Sequence, residues 1–365
     1  MSTIWIGASS LADKAFHKWV GLYDQPKPRV ILDNDPAKQG STRQGVSVDL
    51  VANVQRYLEG NDAEARLILT SSYARELRAQ LLALGVPERQ IVDFYDHDAQ
   101  VDGGLLSRNA LLKSRTQGKR CVIVGNGPSL NQIDLSQLMP LDCICVNHAY
   151  KSEAILSLQP RFWVVADPLF WQQAELHLDP VFDVLQTHLP EARLLINADA
   201  IFSFDRSRAM SEQVYYFDMS LPRPETVLAS CDFESRMPLC AQNVLCPALM
   251  LAIYLGYEEI LLAGFDHTWW SYTREDIAAG KVIPHAYQHT SSDNKISTDA
   301  YADLGYEGLR ATIAQQQQEY GLIRTYAQTL GRRIISITPG EMTCFPYQRF
   351  DDVFSAGVVE DGKPC

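Results

Sequence analysis

Short apolar runs recur along the chain, each ending in small or acidic residues, and helically spaced apolar positions lie between several of them. "STIWIGAS", "PRVILDNDP", "ARLILTSS" and "RQIVDFY" are such runs within the first hundred residues. Runs of this length, bounded by turn residues, predict buried strands. In "YARELRAQLLALGV" the residues Leu77, Leu81, Leu82 and Leu84 fall on one helical face. Strands alternating with helices predict a parallel sheet of Rossmann type. The first turn, "GASS", offers one glycine where a dinucleotide fingerprint wants three, so NAD binding there is weakly supported.

Around residues 98–118 the strand pattern fades and Gly, Ser, Arg and Lys accumulate. A second series follows: "RCVIVGNG", "DCICVNHAY", "PRFWVVADP", "ARLLINAD", "QVYYFDM", an apolar helix at 243–257, "EEILLAGFD" and "RRIISITPG". A long helix is expected over roughly 304–330, with the "QQQQ" tract at 315–318 as its solvated face. The pattern therefore predicts an α/β protein with two Rossmann-like domains and mostly parallel sheets. The expected divisions are a small domain at 1–100 without an assigned role, a linker at 101–118, a larger domain at 119–350 and a tail at 351–365.

The chain has 365 residues, enough for two domains. Its formal charge of -12 argues against a nucleic-acid partner, which selects for a basic surface. The opening "MSTIWIGASS" lacks the pattern of a signal peptide, and the longest apolar run, "VLCPALMLAIYLGY", is too short to span a bilayer and contains Pro247. Eight cysteines occur without zinc-type spacing, several of them inside apolar strands, so we expect reduced thiols and a cytoplasmic protein.

In open α/β sheets, ligands sit beyond the carboxyl ends of the strands. In the second series those ends carry Gly125-Asn126-Gly127-Pro128-Ser129, Asn147-His148, Asp167-Pro168 and Gly264-Phe265-Asp266-His267. Gly125 and Gly127 would let backbone approach a phosphate, and Asn126 adds a neutral donor. The same residues also suit a tight turn. The segment after the Gly-Phe-Asp strand, "HTWWSYTREDIAAGKVIPHAYQHTSSDN", holds His267, His285 and His289, any of which would titrate in a range useful for a general base. Trp269, Trp270 and Tyr272 offer rings for stacking on a sugar or base, or a core for the segment itself. The acidic "DND" and "DHD" stretches read as surface turns, and no metal site is expected.

"VIVGNGPSLNQIDLSQL", "VNHAY" and "ALMLAIYLGYEEILLAGFD", in that order, resemble bacterial sialyltransferases of glycosyltransferase family 42. They also resemble a wider group with the same opening motif, including domain-of-unknown-function 115 proteins of flagellin glycosylation and archaeal pterin diphosphokinases. The resemblance covers about residues 119–345 and implies a sialyltransferase-like second domain with a mobile lid. It implies nucleotide contacts from Gly125, Asn126, Gly127, Ser129, Asn147, Asp167, Gln242, Asn243 and Tyr272. It also implies a catalytic histidine in the lid, His285 or His289, with His267 and Asp266 beside it. The family has asparagine where this chain has Asp167, and Ser-Gly where it has Gln242-Asn243, which puts the donor sugar in question.

The expectation is then a glycosyltransferase moving an acidic keto-sugar (sialic acid-like or Kdo) from a CMP-activated donor to a cell-surface glycan precursor. It would need no cofactor and would work in the cytoplasm, with peripheral contact at the inner membrane face allowed. The rivals are an ATP- and Mg-dependent diphosphokinase, using Asp167 and Asp266, and a non-catalytic nucleotide-binding partner in glycan assembly.

Overall fold

The computed structural model describes residues 2–60, 63–102, 105–116, 118–218, 232–235, 243–287 and 291–355. The chain divides into two compact units: Met1–Leu105 with Phe204–Met210, and Leu106–Ser203 with Ser211–Cys365. Each is a Rossmann-like α/β fold with a mostly parallel sheet.

The first unit holds β1 (Thr3–Ile6), β2 (Ile31–Leu32), β3 (Thr42–Arg43), β4 (Val46–Asp49), β5 (Arg66–Leu69) and β6 (Ile91–Asp93). They lie in the order β3-β4-β2-β1-β5-β6, all parallel except β3 against β4. Alternation along β1 sends Ile4 and Ile6 into a core with Leu32, Leu67, Leu69, Leu77 and Leu81. Trp5 instead packs on Phe16 and Trp19, with ring centroids 4.6 and 5.4 Å away. The β3–β4 hairpin did not register in the sequence pattern, because its strands are short and largely polar. Its two-residue turn has Gln44 at φ 51° and Gly45 at φ 79°, the left-handed pair that a tight hairpin requires.

The second unit holds β7 (Arg120–Val124), β8 (Asp142–Val146), β9 (Phe162–Val165), β10 (Arg193–Asn197), β11 (Val214–Phe217), β12 (Glu259–Ala263) and β13 (Arg333–Ser336). Their order is β11-β10-β9-β8-β7-β12-β13, and every pairing is parallel. The chain starts at β7, steps outward to β11, and returns to the other flank of β7 as β12. The helix Leu245–Leu255 lies on that return, and every one of its residues is buried. This explains its apolarity on all sides without invoking a membrane. No helix among the described residues is long and apolar enough to cross one.

The stretch expected as a linker is structured. Phe94–Asp102 is helical, and Ser107–Arg115 forms 3-10 turns that belong to the second unit. There Leu112 enters the core, and the buried Asn109 amide donates at 2.6 Å to the carbonyls of both Tyr216 and Phe233. One leucine and one asparagine make no periodic signal, so the pattern missed it. The long helix runs Ser291–Thr329, interrupted at Gly305 with φ 65°. Its glutamine tract is not wholly a solvated face: Gln316 is buried and accepts from Trp270 Nε1 at 3.3 Å.

Candidate functional site

The reversal of strand order in the second unit falls between β7 and β12. A cleft of about 150 Å³ opens at this point. Asn126, Asn147, Asn243, Asp266, His267, Trp269 and His285 line it. It thus joins residues from five separate stretches of the chain, and this is where such a sheet binds ligands.

The Gly-Asn-Gly-Pro-Ser turn is built differently from a phosphate cradle. The Gly125 amide donates to Ala263 O and that of Gly127 to Gly264 O, both at 2.8 Å. A Cβ at Gly125 would lie 2.4 Å from Gly264 O. One at Gly127 would lie 2.6 Å from the same oxygen and 2.7 Å from the Asp266 carboxyl carbon. The glycines therefore let the β7 and β12 loops touch, and their amides are consumed doing so. The next amide, Ser129 N, donates to Asp266 Oδ2 at 2.9 Å, and the Ser129 hydroxyl donates to Asp266 Oδ1. An internal carboxylate occupies the place expected for a phosphate. Burial pushes the Asp266 carboxyl above its ordinary range, only partly countered by the two Ser129 hydrogen bonds.

Asn126 keeps a role toward the cleft. Its Nδ2 donates to Val146 O at 3.2 Å, while its buried Oδ1 has no hydrogen-bond partner. Its carbonyl accepts from Ala286 N at 2.7 Å, which ties the segment carrying His285 to the β7 loop. Asn147 sits at φ 43°, a left-handed conformation asparagine tolerates best after glycine. Its Oδ1 accepts from Ala166 N at 3.2 Å and its carbonyl from Trp163 Nε1 at 2.9 Å. Asn243 Oδ1 accepts from Leu245 N at 2.7 Å, turning the chain into the helix Leu245–Leu255.

His267 is locked. Its Nδ1 donates to Phe265 O at 3.1 Å, so Nε2 is the acceptor and receives the Tyr320 hydroxyl at 2.9 Å. Burial holds its pKa down to about 4. A neutral ring whose lone pair is already taken positions neighbours better than it abstracts protons. Trp269 stacks on it with centroids 6.0 Å apart, and Trp270 meets it edge-on at 4.9 Å. His285 lines the cleft with its ring stacked on Tyr287 at 5.0 Å.

Two expected contacts lie elsewhere. Tyr272 is buried, its hydroxyl donates to Val282 O at 2.9 Å, and it does not line the cleft, so it belongs to the packing of its own segment. Asp167 is also absent from the lining; it accepts from Leu169 N at 3.0 Å, and burial raises its carboxyl above the ordinary range. Gln242 and His289 lie outside the described residues.

Sequence reasoning missed Tyr320, which fixes the His267 tautomer, and Thr338, whose hydroxyl accepts from Gly264 N at 2.9 Å. It also missed Gly340, where a Cβ would meet Asp266 Cα at 2.7 Å. Tyr320 is one apolar position in a helical stripe and carried no distinguishing signal. The glycine of "TPG" was visible, but its proximity to Asp266 was not. No protein-family model, no curated protein and no solved structure matches this chain.

Proposed function

We propose that the second unit is a glycosyltransferase that takes an acidic keto-sugar from a CMP-activated donor, with His285 as the base that deprotonates the acceptor hydroxyl. The observation carrying this reading is the convergence of Asn126, Asn147 and Asn243 with His285 in one cleft at the sheet's switch point. Three side-chain amides suit a ligand recognised by hydrogen bonds to base, ribose and sugar hydroxyls. No lysine or arginine lines the cleft among the described residues, which favours a monophosphate donor over a di- or triphosphate. Trp269 supplies a face for a ring, and the backbone tie from Ala286 to Asn126 holds His285 against the cleft. The acceptor on this reading is a cell-surface glycan precursor, met in the cytoplasm at the inner membrane face.

The diphosphokinase reading needs Asp167 and Asp266 as a carboxylate pair at one ion. Asp167 does not line the cleft, and both Asp266 oxygens are engaged by Ser129, so the geometry favours it less.

Calorimetric titration with CMP, UDP, GDP and ATP, with and without magnesium, separates the readings. The proposal expects CMP binding that survives chelator. It further expects His285→Gln to lower kcat about a hundredfold with CMP affinity unchanged. Full transfer activity in His285→Gln, in His289→Gln and in the double variant would remove the assignment. ATP binding that requires magnesium would favour the diphosphokinase. Nucleotide binding with no turnover on any donor would leave a binding partner in glycan assembly.

A further inference from the structure

A cavity larger than that cleft lies in the first unit. It measures about 390 Å³, within the range of small-molecule sites (~300–1,000 Å³). It opens where the loops after β1, β2 and β5 meet, and strand order reverses there too, with β2 and β5 on opposite flanks of β1.

Its framework is rigid. Thr70 Oγ1 donates to Gly7 O at 2.7 Å, Ser9 Oγ donates to Thr70 O at 2.7 Å, and Arg43 Nη1 donates to Ala8 O at 2.8 Å. A Cβ at Gly7 would come within 2.6 Å of Ser71 Cβ, so the β1 and β5 loops are in direct contact. Asp33, only 8% exposed, projects from the end of β2 into this frame. Its Oδ2 accepts from Ala8 N at 2.6 Å and from Lys38 Nζ at 3.2 Å, and its Oδ1 accepts from Asp35 N at 2.8 Å. Burial raises the carboxyl, but the amides of Asp35 and Ala8 and the Lys38 ammonium outweigh it, so Asp33 stays ionised. Oδ1 carries a single hydrogen bond and retains room to accept another.

The rest of the lining narrows the ligand. Asp33, Asp35 and Glu76 face one lysine, Lys38, so the site is acidic and disfavours a phosphate inside it. A neutral polyhydroxyl group is what a fixed carboxylate acceptor selects. Tyr73 presents a ring that is 69% exposed, and Leu77 forms an apolar floor, which together offer a flat surface to a heteroaromatic ring. At the rim the Asn34 and Gln80 amides bond each other, at 2.7 and 3.2 Å, and present further donors and acceptors.

We propose that the first unit binds a ribonucleoside, or the nucleoside end of a larger ligand, with the ribose diol on Asp33 and the base against Tyr73 and Leu77. This site is independent of the transferase reading of the second unit. The full chain would be titrated with adenosine, uridine, their 2′-deoxy counterparts, the 5′-triphosphates and a methyl hexoside. Variants Asp33→Asn, Tyr73→Ala and, in the other unit, Asn126→Ala would be run alongside.

We expect ribonucleoside binding that weakens about tenfold on loss of the 2′-hydroxyl and about tenfold in Asp33→Asn. Tyr73→Ala, at an exposed position that does not threaten folding, should weaken it several-fold, at roughly the worth of one stacked ring. Asn126→Ala should leave it unchanged, which separates this site from the cleft of the second unit. Triphosphates should bind no better than nucleosides. Three results would each overturn the proposal: no nucleoside binding at millimolar concentration, equal binding by wild type and Tyr73→Ala, or a hexoside binding as tightly as the nucleosides.

Discussion

The two units solve the same local problem with the same group and reach opposite electrostatic outcomes. In each, an amide shortly after the unit's first strand is captured by a carboxylate from a neighbouring strand end. Ala8 N donates to Asp33 in the first unit and Ser129 N to Asp266 in the second. Asp33 has Lys38 beside it and is held below the ordinary carboxylate range, despite burial. Asp266 accepts its hydrogen bonds from the uncharged Ser129, and burial lifts it. The lesson concerns reading turns. A glycine-rich turn after a strand supplies amides, but only the fold shows whether a ligand or a neighbouring side chain uses them.

The largest effects should come from closing the gap between the loops. Gly127→Ala drives a methyl into Gly264 O and the Asp266 carboxyl. Gly7→Ala drives one into Ser71 from a backbone at φ 109°. Each should cost about 3 kcal/mol or more in denaturant titration, with hydrogen exchange placing the loss in the unit that carries the change. Gly321→Ala is the control, since a Cβ there meets nothing within 4 Å. In that helix it should gain about 0.5–1 kcal/mol. A Gly127→Ala protein as stable as wild type would mean the β7 and β12 loops do not touch as described.

The carboxylates themselves test the electrostatic half of the comparison. Asp33, with its folded pKa depressed, contributes stability that is present above the ordinary carboxylate value and lost as pH falls through the folded value. Asp266, with its folded pKa raised, contributes stability that is full below the ordinary value and lost as pH rises through the folded one. Asp33→Asn should therefore cost most at neutral pH and least in acid, and Asp266→Asn the reverse. Stability measured from pH 3 to pH 7 should give curves for the two variants that diverge from wild type in opposite directions. Parallel curves would show that the two environments do not differ as the neighbouring charges suggest.

Much of this architecture was visible in the residue pattern, and the exceptions share a cause. Strands such as "CVIVG" and "RLLIN" are buried on both faces of parallel sheets, so they read as continuous apolar runs. The β3–β4 hairpin and the turns over Ser107–Arg115 contribute only a few buried groups each, too few for a periodic signal. At the cleft, residue types at strand ends were legible: Asn126, Asn147, Asp266, His267 and His285 are all in the lining. Their partners were not, because Asp266 with Ser129, His267 with Tyr320 and Gly264 with Thr338 are long-range pairs set by strand order. Asp167 and Tyr272 sit in the right segments but spend their polar atoms locally.

The smallest test compares two left-handed amide residues, one taken from each unit. Gln44, at φ 51°, is exposed at the tip of the β3–β4 hairpin, where asparagine followed by glycine is the favoured pair. Asn147, at φ 43°, directly follows β8 and uses its Oδ1 to hold Ala166 N. Exchanging the amides makes the comparison quantitative, since both changes keep the functional group and alter one methylene. Gln44→Asn should stabilise by about 0.5 kcal/mol, because asparagine populates this conformation more readily. Asn147→Gln should cost about 1 kcal/mol, since the longer chain moves the oxygen off Ala166 N and fits the left-handed backbone less well. Effects equal in size and opposite in sign would mean that local backbone preference alone governs both positions. A cost at Asn147 larger than the gain at Gln44 would tie Asn147 to the hydrogen bond from Ala166 N beside the cleft.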